Sequence, residues 1–371
     1  LLEFYMLLLS TLIGMFFMIS SGNLLMFYLA LELSTIPLAA LSNFDLEKRQ
    51  SSEAAMKMIM SSAFSSGILL FGISIVYGTT GTLSLSELPA HLDSSSLQLF
   101  AFILLFTGFA FKMSAVPFHL WTADVYEGSP VPVTSYLSVI SKAAIIFVFV
   151  SVLYKVFHSL SQMWYSVLYL TSVLTMIIGN LFAIRQNNLK RFLAFSSIAQ
   201  VGFILIGISG SSQMGTASVI YFILIYVFSN LGAFGVISIV SAITGKENMD
   251  DYKGFYKTNP MLSWILTISL FSLAGIPPTA GFFGKLFLLT AGAAKGNYLL
   301  ITIAALNMIV SLYYYLKVVK TMFMDKSDQP IEKISADAIS NFALLICVAG
   351  IIIIGFIPQI YEYIYSISFG M

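Results

Sequence analysis

Hydrophobic positions in this chain run together in long stretches, separated by short polar or charged turns. Crossing a bilayer as a helix takes about 20 residues. On that rule the pattern predicts eleven spans, at 3–21, 24–42, 53–78, 97–122, 131–155, 163–184, 190–209, 216–243, 259–294, 298–322 and 338–366. Two of them are interrupted. The fourth meets Pro117, and the ninth carries Gly275-Ile276-Pro277-Pro278-Thr279-Ala280-Gly281, which a continuous helix would not hold. Broken helices at membrane depth survive only where protein or a hydrated cavity covers the freed backbone groups.

Composition agrees with the pattern. Apolar residues make up 58% of the chain, charged residues 9%, and the mean hydropathy is +0.92. An ordinary soluble domain has about 25% charged residues. The expected class is an all-α polytopic membrane protein. A net charge of +1 carries no message about nucleic acid. One cysteine, Cys347, and three histidines, His91, His119 and His158, are too few for an iron–sulfur, haem or structural zinc site. Cys347 lies in an apolar run and reads as helix packing. Any redox chemistry that drives the protein is expected in another chain. The first residues lack a basic region and a cleavage site, so a signal peptide is not expected, and residues are expected to precede Leu1.

Lysine and arginine in the loops set the orientation. Lys48, Arg49, Arg185, Lys190, Arg191, Lys246, Lys253, Lys257, Lys320, Lys326 and Lys333 fall on one side, and only Lys155 and Lys295 on the other. The positive-inside rule puts the first set, and the start of the chain, in the cytoplasm, with the C-terminus outside. The acidic turn 124–132 runs against this trend and is expected to be buried or covered by a partner. Gly108-Phe109-Ala110-Phe111-Lys112 and Gly281-Phe282-Phe283-Gly284-Lys285 share the pattern G-F-x-x-K on the two broken helices. These lie five spans apart, so the second copy runs the opposite way through the membrane, as in an inverted-topology repeat. The expected organisation is one five-helix half at 1–158, a second at 159–324, and a charged linker with a final helix at 325–371.

Five ionisable residues sit inside the predicted spans: Glu32, Lys57, Lys112, Lys142 and Lys285. Each costs about 2.5–3.5 kcal/mol at mid-bilayer even on the lenient insertion scale, so each needs a partner, a wet cavity or a task. Desolvation disfavours the charged form of a buried amine, which suits it to gaining and losing a proton. Lys112 lies about 22 Å from the outer helix end at 1.5 Å per residue, a long reach for snorkelling. Lys142 is about 15 Å deep, among Ser141, Ala143 and Ala144. Lys285 follows the second break. Glu32 is expected to pair with Lys57 across the second hairpin; the alternatives are a structural ion pair for Glu32 and a snorkelling cytoplasmic-end residue for Lys57. His119, past the first break, is either a proton relay or a hydrogen-bonded structural residue. Trp164, Trp264 and Tyr361 read as interface anchors.

Three long motifs carry a resemblance. They are Phe111-Lys-Met-Ser-Ala-Val-Pro-Phe-His-Leu-Trp121 with its continuation to Ala144, Leu189 to Gly202, and Leu273 to Leu286. Together they resemble the antiporter-like subunits of respiratory complex I, and among these they are most similar to the subunit N type. Sister subunits tend to carry a histidine in the helix that here holds Ser138, and one sister type has glutamate where Lys285 stands. The resemblance covers essentially the whole chain and implies that the family's first three helices lie outside this sequence. It implies that Glu32 and Lys57 form the coupling pair, Lys112 is the broken-helix lysine, Lys142 the central connecting lysine and Lys285 the exit lysine. It further implies proton translocation in a bacterial cytoplasmic membrane, beside neighbouring antiporter-like and other membrane subunits. No cofactor is expected in this chain; NADH, flavin, iron–sulfur clusters and quinone are expected in partner subunits. A subunit of a multisubunit sodium/proton antiporter is the alternative. A third reading makes the chain a scaffold whose lysines only pair with helix ends.

Overall fold

The computed structural model describes residues 2–93 and 95–370; Leu1, Ser94 and Met371 lie outside the described residues. Among the described residues the regular elements are helices, joined by two isolated β-bridges. The first membrane helices are α1 (Leu2–Ile19), α2 (Leu24–Ser42), α3 (Arg49–Thr80) and α4 (Ser96–Met113). A short α5 (Leu120–Gly128) completes the fourth span, and α6 (Val131–Lys155) follows. Then come α7 (Ser161–Ile184), α8 (Leu189–Ser209) and α9 (Gln213–Thr244). The ninth span is α10 (Pro260–Ala274) with α11 (Ala280–Ala293), and α12 (Tyr298–Phe323) is the tenth. The last span departs from expectation. It is split into α13 (Ala338–Phe356) and α14 (Pro358–Ile367), because Pro358 has no N–H to continue the ladder.

Local chemistry sets the ends. Asn23, Ser95, Asn188, Ser212, Asn297 and Asp337 cap helix N-termini with side-chain oxygens, and Gly81 and Gly245 close α3 and α9 in the left-handed region. The centre of the bundle is α8, every residue of which is buried except Arg191. Small residues let its neighbour approach: a Cβ at Gly179 of α7 would lie 2.7 Å from the Ala199 nitrogen. By contrast α1 and α13 bury few residues and present wide apolar faces outward. Trp164 departs from the anchor role expected of it. It is fully buried, its indole donating to the Phe157 carbonyl (3.1 Å).

The two broken spans share one backbone device. Ser114 (φ 66°) ends α4 and Gly275 (φ 82°) ends α10, both left-handed. The next N–H reaches back five residues in each, Ala115 to the Ala110 carbonyl (2.8 Å) and Ile276 to that of Phe271 (3.0 Å). Phe118 N–H then donates to Ala115 (2.7 Å) and Thr279 N–H to Ile276 (3.0 Å). One constant offset thus carries Ser114 onto Gly275, Pro117 onto Pro278 and Phe118 onto Thr279. The same offset carries Lys112 onto Leu273 and Asp124 onto Lys285. The two G-F-x-x-K motifs are therefore not equivalent positions: Lys112 precedes its break and Lys285 follows its own.

A second likeness lies in the turns. Leu24 N–H donates to the Leu83 carbonyl and Leu85 N–H to Gly22; correspondingly, Leu189 N–H donates to Glu247 and Met249 N–H to Asn187. Each pair ties the start of α2 or α8 to the loop after the following helix.

Candidate functional site

Lys112 sits in the last turn of α4 and is 5% exposed. Its Nζ donates to Thr35 Oγ1 (2.6 Å), one turn along α2 from Glu32, and Glu32 is the carboxylate whose field reaches it. Beside it lies a cavity of about 10 Å³, lined in part by Thr35, Ser62, Ser65 and Ser66. That is about the smallest space a water can occupy, and the buried Ser65 hydroxyl has no hydrogen-bond partner among the described residues.

The expected Glu32–Lys57 pair is not formed. Lys57 Nζ lies 2.6 Å from Asp124 Oδ2 and 2.6 Å from Glu53 Oε1. Because α3 begins at Arg49, Lys57 reaches the depth such a pair needs, but the face is wrong. Ser51, Ala54, Met58, Ser62 and Ser65 form the buried stripe of α3, and Ser42 Oγ contacts Met58 Sδ (3.6 Å). Lys57, one residue off that stripe, points to α5. Buried Glu32 Oε1 has no hydrogen-bond partner among the described residues.

The acidic turn is satisfied within the chain. Arg191 Nη1 contacts Asp124 Oδ1 (2.6 Å) and Glu127 Oε2 (2.8 Å), so α3, α5 and α8 meet in one ionic cluster. Arg191, Asp124 and Glu127 are about a third exposed and Lys57 more so, which limits each pair to about 1 kcal/mol or less. Arg191→Ala is accordingly expected to lower the thermal midpoint of the purified protein only slightly. A collapse of the fold would show that the cluster holds α5 in place. Lys190, read from sequence as a loop residue, is 5% exposed and pairs with Glu247 Oε2 (3.0 Å) at the edge of a cavity of about 520 Å³.

Lys142 follows a π-helical turn, Leu137–Ser141, of the kind that often marks functional sites. It is 3% exposed, donates to Ser197 Oγ, and lies 5.5 Å from the Tyr126 ring centroid. Ser138 and Tyr226 hydrogen-bond nearby (3.1 Å). Lys285 is fully buried. Its Nζ donates to the Leu273 (2.7 Å) and Ala274 (3.1 Å) carbonyls that the break in α10 leaves free, and it faces the Phe203 ring (5.0 Å). At the first break the Phe111 carbonyl accepts from the Ser114 N–H (3.0 Å) and from the Trp121 indole N–H (3.1 Å).

Sequence reasoning missed the groups between Lys142 and Lys285. Ser196 Oγ bonds the Tyr315 hydroxyl, and Gln200 Nε2 donates to that hydroxyl (3.2 Å) and to the Leu273 carbonyl (2.9 Å). All three are buried. Polar Ser196, Ser197 and Gln200 on the most enclosed helix were the available signal. His119 is buried past the break, and among the described residues its Nδ1 has no hydrogen-bond partner and no lysine bonds to it. Among the described residues no group of three or more His, Cys, Asp or Glu side chains could hold a metal ion.

Residues 21–311 match the family described as NADH:quinone oxidoreductase/Mrp antiporter, TM. The chain is 50% identical over 361 residues to NADH-quinone oxidoreductase subunit N of Phocaeicola vulgatus, covering 97% of this chain and 76% of that one. Among solved structures it is similar to a chain of respiratory complex I from Thermus thermophilus with bound aureothin. There the TM-score is 0.83 at 30% identity, over 96% of this chain and 78% of that one. A chain of the Mrp complex from Dietzia sp. DQ12-45-1b gives 0.89 at 22% identity, over 97% and 76%, a likeness of fold alone. The chain therefore belongs to the family of NADH:quinone oxidoreductase and Mrp antiporter membrane subunits, and within it to the antiporter-like subunit N type of respiratory complex I.

Proposed function

We propose that this chain translocates protons as a membrane subunit of an NADH:quinone oxidoreductase, with Lys112, Lys142 and Lys285 as the proton-carrying groups. One observation carries the reading. Among the described residues, none of these three buried amines has a carboxylate within 4.0 Å; each is held by neutral oxygens, from Thr35, Ser197, or the Leu273 and Ala274 carbonyls. Buried Lys190, by contrast, has Glu247. An amine with a fixed counter-ion keeps its charge, whereas one held by neutral dipoles can change its protonation at modest cost. The sodium/proton antiporter alternative shares the fold, but the 50% relative is named for the oxidoreductase.

The two breaks and the two tied turns support two halves of opposite direction, 1–158 and 159–324, with 325–371 appended. The loop charges favour a cytoplasmic start and an outer C-terminus in a bacterial cytoplasmic membrane. NADH, flavin, iron–sulfur clusters and quinone belong to the partner subunits, whose redox chemistry drives the cycle. A push from neighbouring subunits on α2 moves Glu32 and Thr35 relative to Lys112. The field at Lys112 changes, and a proton passes by way of Lys142 to Lys285. Moving one charge against 100 mV takes about 2.3 kcal/mol. Lys57 is bound to Asp124 of α5 rather than paired with Glu32.

Lys142→Met in the assembled complex tests this. NADH-driven proton uptake into inverted vesicles is expected to fall by at least about tenfold, as for removal of a proton-transfer group. Uptake at the wild-type level would rule out Lys142 as a carrier.

A further inference from the structure

Ser196, Tyr315, Gln200, the Leu273 carbonyl and Lys285 form a hydrogen-bonded chain that begins next along α8 to Ser197, the partner of Lys142, yet the directions of its hydrogen bonds forbid conduction. The Gln200 atom 2.9 Å from the Leu273 carbonyl must be the amide nitrogen, since two oxygens would repel there. The same NH₂ group donates to the Tyr315 hydroxyl, which also bonds Ser196 Oγ. On the other side Lys285 also donates to the Leu273 carbonyl (2.7 Å). Donors therefore point away from Gln200 in both directions, and two converge on one carbonyl. A relay needs every group to accept on one side and donate on the other, and a double donor in the middle interrupts it. Gln200 Oε1, meanwhile, is buried with no hydrogen-bond partner among the described residues, an unfavourable state in a native interior. An amide with one satisfied and one orphaned end is poised to turn.

We propose that Gln200 is the gate between the Lys142 cluster and Lys285. With its amide between Tyr315 and the Leu273 carbonyl the path is closed; with the amide turned away, water takes its place and the path opens. A proton then passes from the Lys142 ammonium, which breaks one N–H bond, by way of Ser196 and Tyr315 to that water, and the water releases one proton to a neutral Lys285, which forms one N–H bond; each hydroxyl takes one proton and gives one. The phenol and the water end neutral. The inference rests on the proton-carrying role of the lysines and adds Gln200 as the residue that times it.

Two variants of the assembled complex in liposomes test it. Gln200→Ala leaves room for water and is expected to raise passive proton conductance by about tenfold, the effect of a small barrier reduction. NADH oxidation should then no longer slow as the gradient builds. Gln200→Met fills the space without donors and is expected to stop pumping with no leak. A purely structural glutamine would make both variants fail alike, with lowered assembly and no leak. Wild-type conductance in Gln200→Ala, or wild-type pumping in Gln200→Met, overturns the gate. If the alanine variant does not assemble, the methionine variant decides. Loss of pumping in Lys142→Met beside an unaltered Gln200→Ala would sink the gate and leave the carrier role intact.

Discussion

Replacing Lys112 with methionine is expected to lower NADH-driven proton pumping by more than about tenfold while the complex still assembles. The stem of methionine refills most of the space. Thr35 keeps its own hydrogen bond to the Leu31 carbonyl (2.6 Å), so no buried hydroxyl is orphaned. The charge is all that leaves. Lys112→Arg separates the carrier role from a merely positive one: a guanidinium can rebuild the bond to Thr35 but stays charged at any working pH. It is expected to pump no better than methionine. Measuring proton uptake and quinone reduction in the same vesicles checks both variants. An active arginine variant would mean that Lys112 supplies a fixed field, and the carrier would have to be sought elsewhere.

Gly281→Ala is expected to prevent stable assembly altogether. A Cβ there would lie 1.7 Å from the Ser272 carbonyl oxygen, a backbone atom of the helix that α11 folds against. A contact so short separates α10 from α11 and removes the carbonyl cradle of Lys285. Losses beyond about 4–5 kcal/mol come from such mechanisms. Gly67→Ala, in α3 with open space around it, is the matched control and should assemble normally. The readout is the amount of subunit in the purified complex. Wild-type levels of Gly281→Ala would mean that the second break can open without penalty.

How far the sequence revealed this molecule depends on which forces were at stake. Span length follows from bilayer thickness, so the helices were legible to within a few residues, and Pro117 and Pro277-Pro278 marked the breaks. Pro358 was passed over because the apolar run continues through it. Lys112, Lys142 and Lys285 were legible because a buried charge is costly wherever it falls. Their partners were not, because hydroxyls and backbone carbonyls leave no mark that distinguishes them from other polar atoms in a helix. The Glu32–Lys57 expectation rested on the shared hairpin and left out the rotation of α3. The stripe of Ser51, Ala54, Met58 and Ser62 already held the rotation of α3, and reading it would have turned Lys57 toward α5. The G-F-x-x-K recurrence misled for a related reason: composition repeats easily, while hinge geometry is seen only once the backbone is folded.

The enclosure of α8 has an electrical meaning. A conductor that runs through the bilayer is useful only if current cannot escape sideways, and this helix touches no lipid along nearly its whole length. The groups strung on it are wrapped in a sleeve of protein at every depth. Changes in membrane thickness or headgroup charge therefore reach this stretch only indirectly, and its losses are set by the protein's own packing.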